Sequence, residues 1–448
     1  MINKPKELGT ESVSRLLLKY ALPSIVASTV MSIFNIVDSI FIGHGVGTLG
    51  LSGLAVLLPL MNMMIAFSTL VAIGGANLMS IRLGQKDYKS ANVILGNVVT
   101  LSIIYAVILN IACYAFLDKI LIFSGASADT LPYARSFMQV FLAGVIFTQL
   151  FFNLNAMLRS SAAPQKAMIA TIGMVFIVVI LNPIFIFGLK MGMRGSALAT
   201  VLSQGIMLCY QLHHFQNKNN FIYFHKGIFK LRWKLVTKIM SIGLSPFFMN
   251  LTACMVVIII TNSLTRYSGD MAVGAYGIIN RFLFFFVMIV IGLMQGMQPI
   301  VGYNYGAKLY NRVFQVLKLS LLFATLISIT GFLLGEILPH LITSMFTTDK
   351  ELADISIKGM KIMMLAVPLL GAQVISTGFF QSIGYVKTAI FLSLLRQLIL
   401  IIPALLVLPL FFGLNGIWMS VSISDFLATV ISLSLLIYNY RLLKKQID

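Results

Sequence analysis

Two acidic side chains lie deep inside apolar stretches of this sequence and are the residues best suited to chemistry. Asp38 lies in NIVDSIFIG, with Asn35 one helical turn before it, and Asp425 lies in a later stretch beside Ser422 and Ser424. Removing a carboxyl group from water favours its protonated form, so such a group can bind and release a proton or a cation as a cavity opens and closes. Either carboxylate can instead be a structural hydrogen-bond partner.

Positive charges are equally rare in these stretches. Arg281, which follows Asn280, and Arg396 are the arginines that lie deep within them. The sequence leaves open whether either guanidinium pairs with Asp425 or extends its side chain to a polar edge.

Residues for metal binding or covalent catalysis are not gathered by any motif. The cysteines lie far apart, without pairing or metal-ligand spacing, at Cys113, Cys209 and Cys254. The histidines fall at predicted loops or helix ends, at His44, His213, His214, His225 and His340. An enzyme needs a convergent set of nucleophile, base or metal ligands, so we expect neither an enzyme nor a bound metal or cofactor.

The apolar stretches themselves are long enough to cross a membrane. Hydrophobic residues make up 59% of the chain and charged residues 10%, and the mean hydropathy is +0.96. A helix needs about 20 apolar residues to cross the hydrocarbon core, and a helix satisfies all its backbone groups within one segment. The sequence predicts an all-α integral membrane protein with twelve transmembrane helices, at residues 15–42, 53–77, 92–116, 132–158, 165–188, 194–215, 235–263, 272–300, 314–337, 354–382, 387–411 and 415–440.

The net charge of +19 follows membrane topology and does not indicate a nucleic-acid partner. If the N-terminus is cytoplasmic, Lys4, Lys6 and Lys445 join many other basic residues in the inner loops and ends. Of the 32 Lys and Arg residues, the outer loops then hold only Lys119, Lys190, Arg194, Arg266 and Lys350. This asymmetry follows the positive-inside rule, so we expect a multi-pass protein of the cell (inner) membrane with both termini in the cytoplasm.

The sequence also repeats itself at an offset of about 222 residues, which predicts two homologous lobes. The repeat pairs Pro23 with Pro246, Gly84 with Gly306 and Gly195 with Gly416. Each lobe has six predicted helices, so both lobes enter the membrane in the same orientation, related by a pseudo-twofold axis along the membrane normal with a cleft between them. The predicted parts are an N-terminal lobe at 1–213, a polar and basic cytoplasmic linker at 214–234, and a C-terminal lobe at 235–448.

Residues that bend or closely pack helices are candidates for the moving parts. A proline removes a backbone hydrogen bond and kinks a helix, which suits a bundle that must bend. The structural or gating candidates are Pro23, Pro183, Pro246, Gly84, Gly306 and, as a hydrogen-bond partner, Asp425.

Several segments together resemble the multidrug and toxic compound extrusion (MATE) family, and within it the MepA-like branch. They are ALPSIVASTVMSIFNIVDSIFIG, LGQKD, LNPIFIFGLKMGMRGSALATVLSQ, QPIVGYNYGA and FFQSIGYVKTAIFLSLLRQ, and they cover nearly the whole chain in the family's order. The resemblance implies a V-shaped pair of six-helix lobes that exports organic cations by alternating access, in exchange for protons or sodium ions.

The resemblance also implies a coupling-ion site in the N-terminal lobe, at Asp38, Asn155, Asn182 and Thr200. The family usually reads Asn-x-x-x-Asp in its fifth helix, whereas this chain has Val178 and Asn182 at those positions. A sodium ion needs several oxygen ligands, by the general logic of hard-cation sites, so the lost carboxylate favours proton coupling. Asp38 is then the principal site, where protonation and drug binding compete.

The cleft should be lined by polar residues, which we predict to be Asn35, Asp38, Asn280, Arg281 and Gln298. We expect a monomer in the lipid bilayer. The alternative function is a flippase for a lipid or a lipid-linked glycan, as in relatives within the same superfamily, although flippases tend to have more basic cavities and additional helices.

Overall fold

The structure, a computed structural model, describes residues 7–444, and every regular element within that range is helical. Lys4, Lys6 and Lys445, which were counted among the predicted inner charges, lie outside the described residues. We number twelve long helices along the chain. In the first half they are α1 (Val13–Gly45), α2 (Thr48–Gly84), α3 (Tyr88–Ala115), α4 (Leu131–Ala143 and Val145–Ser160), α5 (Pro164–Pro183, continued by a π-helical turn at Ile184–Gly188) and α6 (Met193–Gln216).

The second half repeats the same order. Its helices are α7 (Trp233–Gly269), α8 (Met271–Gly306), α9 (Tyr310–Ile337), α10 (Lys350–Met364 and Val367–Ser382), α11 (from Val386, through a π-helical segment at Leu395–Ile401, to a break at Gly413) and α12 (414–444). Short helices at Glu7–Thr10, Leu117–Phe123 and Pro339–Ser344 lie between or before them.

The twelve helices agree with the number predicted from the sequence. By length and hydropathy, eight helical stretches of the described chain can cross a membrane, or ten if each bent pair is one span. One of these stretches, Val386–Leu442, is 57 residues long and holds two helices, because its backbone breaks at Gly413. Helix α6, with 24 residues, rises about 36 Å and completes the twelve.

Two helices that the sequence predicts as single spans are sharply bent. Helix α4 turns by 62° at Gly144, and α10 turns by 52° between its two segments. Gly144 packs so tightly that an added Cβ would lie 2.1 Å from a methyl group of Val201. In α10, Pro368 stands at the start of the second segment, where it cannot donate the hydrogen bond that would continue the first.

The backbone repeats at the same offset as the sequence. Left-handed conformations recur in matched pairs, with φ of 60° at Lys86 and 58° at Lys308, and 56° at Gly192 and 55° at Gly413. The bent helices α4 and α10 form a further matched pair. Because independent local features recur about 222 residues apart, the two halves have the same fold, as the repeat predicted.

The contacts between the two halves begin at one end of the bundle and extend to about its middle, where Asn250 of α7 donates to Thr69 of α2. We call this end the linker face, because α6 ends and α7 begins there. A large buried cluster near it combines residues of both halves, such as Val71 and Ile239. Toward the opposite face, one cluster contains only first-half residues such as Phe137, and another contains only second-half residues such as Trp418. The lobes are therefore joined at the linker face and separate at the opposite face.

Glycines bring the two lobes into backbone contact at the linker face. A Cβ added to Gly84 would lie 1.9 Å from the carbonyl oxygen of Tyr303, and one added to Gly306 would lie 2.1 Å from that of Ile81. These two contacts are related by the repeat. Only glycine permits such an approach, and we call the contact of α2 with α8 through Gly84 and Gly306 the glycine seam.

The connection between the lobes is held against α3 by two buried asparagines. Asn92 accepts a hydrogen bond from the Tyr223 amide at 2.9 Å and donates to the Phe221 carbonyl at 3.2 Å. Asn97 accepts from the Arg232 amide at 2.9 Å and donates to the Lys230 carbonyl at 3.1 Å. The linker is thus pinned to the first lobe, and its non-helical part, 217–232, is slightly shorter than predicted.

Candidate functional site

The centre of the candidate site is the Asp38 carboxylate, in the half of α1 toward the opposite face. One of its oxygens, Oδ1, accepts hydrogen bonds from Asn182 Nδ2 at 2.7 Å and from Ser196 Oγ at 3.1 Å. Asp38 is partly buried, and within the described chain no Lys, Arg or His side chain forms an ion pair with it. The carboxylate is therefore held by neutral donors and remains open to a mobile cation or a proton.

Asn182 is positioned by an unusual turn at the end of α5. It precedes Pro183 and the π-helical turn Ile184–Gly188, and single π-turns within helices often mark functional positions. Asn182 is completely buried, and its Oδ1 has no hydrogen-bond partner. A protonated Asp38 has a hydroxyl that could donate to this amide oxygen after a side-chain rotation, whereas an ionised Asp38 cannot.

Ser196 is the contact that the sequence reasoning missed. It is completely buried at the start of α6, and Gly195 beside it lets α6 approach α5, since an added Cβ would lie 3.0 Å from the backbone of Phe185. Its spacing could have identified it. Ser196 stands one helical turn before Thr200, which the resemblance assigns to the site, and both residues lie on the same face of α6.

Thr200 lies on the same face, but among the described residues no hydrogen bond joins it to Asp38. It is partly buried, and its carbonyl accepts a hydrogen bond of 2.8 Å from Ser203. One turn further, Gln204 accepts a hydrogen bond of 2.5 Å from Thr148. This face of α6 therefore continues the polar lining away from Asp38 without adding a direct ligand.

Val178 occupies the position one turn before Asn182 and is fully buried in an apolar cluster with Phe34 and Met174. The position at which the resemblance implies an amide is thus packed with hydrocarbon. The oxygens that remain around Asp38 are few, which is a poor cage for a cation that needs several oxygen ligands.

The structure does not bring Asn155 to Asp38. The Asn155 amide donates to the Ala167 carbonyl at 2.9 Å and to Thr171 Oγ1 at 3.2 Å, and it accepts a hydrogen bond from Arg159. Thr171 and Asn182 are both on α5, eleven residues apart, so about 16 Å separates the two groups along the helix axis. Asn155 belongs to a separate polar cluster nearer the linker face.

Among the predicted cleft residues other than Asp38, three are exposed and one is not. Asn35, Asn280 and Arg281 are exposed, and Asn35 donates to the Met31 carbonyl of its own helix at 3.1 Å. Gln298 is buried where the lobes meet and donates to Gln381 at 3.1 Å. In this conformation Gln298 thus lies in the contact between the lobes, and its place in the cleft stays a prediction.

Asp425 and Arg396 form an ion pair inside the second lobe. Arg396 Nε lies 2.5 Å from Asp425 Oδ1, and a terminal guanidinium nitrogen lies 3.3 Å from Oδ2. Asp425 is buried, and Arg396 stands in the π-helical segment of α11. Of the two interpretations left open by the sequence, this geometry favours a structural partner, since Arg396 engages both carboxylate oxygens.

Two of the gating candidates, Pro23 and Pro246, lie near the contacts between the lobes. Pro23 and Pro246 are buried inside α1 and α7. Two residues before Pro23, Ala21 packs against α8, since a Cβ added to Gly296 would lie 2.4 Å from the Ala21 Cα. Three residues before Pro246, Gly243 packs against α2, since an added Cβ would lie 1.8 Å from the Leu70 carbonyl oxygen.

Comparison with known proteins shows the same duplicated organisation. A model of the MatE family matches the chain twice, over residues 23–184 and 246–407. The multidrug export protein MepA of Staphylococcus haemolyticus is 28% identical over 428 residues, covering 95% of this chain and 94% of that protein. MepA of Staphylococcus aureus strain MSSA476 is 26% identical over 429 residues, covering 96% and 94%.

Solved structures show the same fold. A structure of the "MATE multidrug transporter DinF-BH" with a bound ligand is 34% identical, has a TM-score of 0.90, and is matched over 96% of both chains. The "outward-facing conformation of a multidrug resistance MATE family transporter of the MOP superfamily" has a TM-score of 0.93 at 19% identity, covering 99% of this chain and all of that one.

Proposed function

Because this chain belongs to the MATE family of multidrug export transporters, we propose that it is a secondary antiporter that expels organic cations in exchange for protons. The observation that carries the proposal is the carboxylate of Asp38, held by Asn182 and Ser196 in the half of α1 away from the linker face, with no basic partner among residues 7–444. A single titrating group of this kind can bind either a proton or a cationic drug.

The orientation follows from the basic residues. The connections at the linker face carry most of the Lys and Arg residues, so the positive-inside rule assigns this face and both termini to the cytoplasm. With the glycine seam closed on that side, the separated halves of the lobes open toward the outside. The proposed location is the cell (inner) membrane, and the proposed organisation is a monomer with lobes at 1–213 and 235–448 joined by 214–234.

The mechanism requires proton and drug to compete for Asp38. In the outward-open state the carboxylate takes up a proton, loses its attraction for a cation, and releases the drug. After the lobes reorient, the proton leaves to the cytoplasm and the charged carboxylate attracts the next cation. Coupling follows because each ligand binds a different charge state of one side chain, which gives the two ligands the differential affinity that a coupled switch needs.

Protons are favoured over sodium because of Val178. A sodium ion at Asp38 would find the carboxylate, the Asn182 amide oxygen and nearby hydroxyl groups, but only hydrocarbon at the position one turn before Asn182. A proton needs no cage. The same carboxylate, together with exposed Asn35 and the methionines and aromatic residues of the chain, suits flat organic cations.

The relatives support this class of substrate without fixing it. MepA is described as a multidrug export protein and DinF-BH as a multidrug transporter. The alternative is a lipid or lipid-linked glycan flippase. The second lobe argues against a flippase, because its partly buried Arg396 is paired with Asp425 and is not free to bind a phosphate.

Transport in proteoliposomes separates these functions. Purified protein should accumulate ethidium when a pH gradient alone is imposed, and a sodium gradient alone should have no effect. Sodium-driven accumulation would refute proton coupling. Scrambling of a fluorescent lipid, with no drug transport under either gradient, would favour the flippase.

A further inference from the structure

A small polar cavity lies between the lobes at the linker face, away from Asp38. Its volume is about 30 Å³, and its polar lining comes from Asn77 of α2, Arg159 and Ser160 of α4, and Gln295 and Gln298 of α8. The first three residues belong to one lobe and the two glutamines to the other. The cavity therefore exists only while the lobes are in contact.

One charged group in this cavity lacks a counter-ion, and one buried donor lacks an acceptor. Arg159 is partly buried, donates to Asn155, and forms no ion pair within the described chain. Asn77 is 1% exposed, and its Nδ2 is buried without a hydrogen-bond partner. A positive charge next to an unsatisfied N–H group is costly in a medium of low dielectric constant unless an acceptor or an anion completes the site.

Size limits what that ligand can be. A cavity of this volume has room for about two water-sized groups, so a large organic anion does not fit. The acidic side chains that form ion pairs near this face are already engaged, Asp87 with Arg82 and Glu7 with Lys19. Among residues 7–444, no carboxylate forms an ion pair with the Arg159 guanidinium.

We propose that this cavity binds a single small halide ion, chloride in the cell, held by the Arg159 guanidinium and Asn77 Nδ2. Because α8 of the second lobe closes the cavity, the ion binds the conformation in which the linker face is shut. Chloride thereby stabilises that conformation, as any ligand does that binds one of two states. This role is independent of Asp38 and of the identity of the coupling ion.

The first experiment measures thermal unfolding of the purified protein while chloride replaces gluconate at constant ionic strength. Chloride should raise the unfolding midpoint of the wild type by about 1–2 °C, a shift consistent with weak binding to a chain of this size. Arg159→Gln should abolish the shift. The matched control is Arg266→Gln, which removes an exposed arginine far from the cavity and should keep it. Equal midpoints in chloride and gluconate for the wild type would overturn the proposal.

A second variant keeps the test valid if Arg159→Gln does not fold. Asn77→Asp places a fixed carboxylate in the cavity, which should neutralise Arg159 internally and make stability independent of chloride. A chloride response that persists in Asn77→Asp would contradict the assignment.

The site can also be observed directly. Crystals grown in sodium bromide should show an anomalous scattering peak between Arg159 and Asn77 in the wild type and no peak there in Asn77→Asp. A wild-type map without that peak, in the conformation closed at the linker face, would refute the halide site.

Discussion

Asn182 donates a hydrogen bond of 2.7 Å to Asp38 across 144 residues of sequence, and its own amide oxygen is left without a partner. This contact joins α1 to the last turn of α5. The amide can stabilise the charged carboxylate as it stands, and by rotating it can accept a hydrogen bond from the protonated form. The pair is therefore suited to a side chain that changes charge during each transport cycle.

Asp38→Asn keeps the size of the side chain but removes its charge and its proton. If one proton is exchanged for one monovalent drug cation, a gradient of one pH unit sustains about a tenfold accumulation of the drug. This variant should reduce that accumulation ratio to about one. Accumulation of ethidium in proteoliposomes measures it. The control, Asp118→Asn, changes a half-exposed carboxylate paired with Arg135 and should transport normally. Concentrative uptake by Asp38→Asn would contradict the account.

The double variant Val178→Asn with Asn182→Asp restores the amide and carboxylate that related sequences usually carry. An additional amide oxygen and a second carboxylate should improve the site for sodium, so a sodium gradient should begin to drive transport in this variant but not in the wild type. Val178→Thr adds one hydroxyl and serves as the intermediate case. If the double variant stays insensitive to sodium while folding normally, the packing at Val178 does not determine the choice of ion.

Gly84→Ala should open the glycine seam. The added methyl would lie 1.9 Å from the Tyr303 carbonyl oxygen, and overpacking of this kind costs about 1–3 kcal/mol. The population closed at the linker face should fall roughly tenfold relative to the open one. Distances between spin labels on α2 and α8 at that face report the change. The control is Gly277→Ala, where an added Cβ meets nothing within 4 Å, and it should leave the distances between the labels unaltered. If Gly84→Ala gave the same distances as this control, the glycine seam would not determine the closed conformation.

Asp425→Asn should destabilise the protein without changing the pH dependence of transport. Removing one partner of a buried ion pair costs about 3–5 kcal/mol, and because the Arg396 side chain is 26% exposed we expect about 2–3 kcal/mol. Asp354→Asn, at an exposed position, is the control for stability. A shifted pH profile in the folded Asp425→Asn protein would instead identify Asp425 as a second titrating group.

Much of the fold could be predicted from sequence because membrane helices are set by length and hydropathy. The duplicated lobes were readable from pairs such as Gly84 and Gly306, and the structure shows what those glycines do. The bends of α4 and α10 could not be predicted in the same way, since the closeness of Gly144 to Val201 depends on how α4 and α6 pack.

The candidate site was predictable only in part. Asp38 stands out as a charge in an apolar helix, and Asn182 follows from the family pattern. Ser196 was missed because buried serines are common in membrane helices, and only the approach of α6 to α5 shows which one reaches the carboxylate. Asn155 was grouped with Asp38 by that pattern, yet it lies about 16 Å away along the bundle, as helix geometry requires.

The most direct test of the central claim is to measure proton movement driven by the drug. When ethidium is allowed to flow down its gradient across proteoliposomes without a pH gradient, the wild type should move protons in the opposite direction, and Asp38→Asn should carry none. Proton counterflow that survives in Asp38→Asn would show that another group couples the two movements.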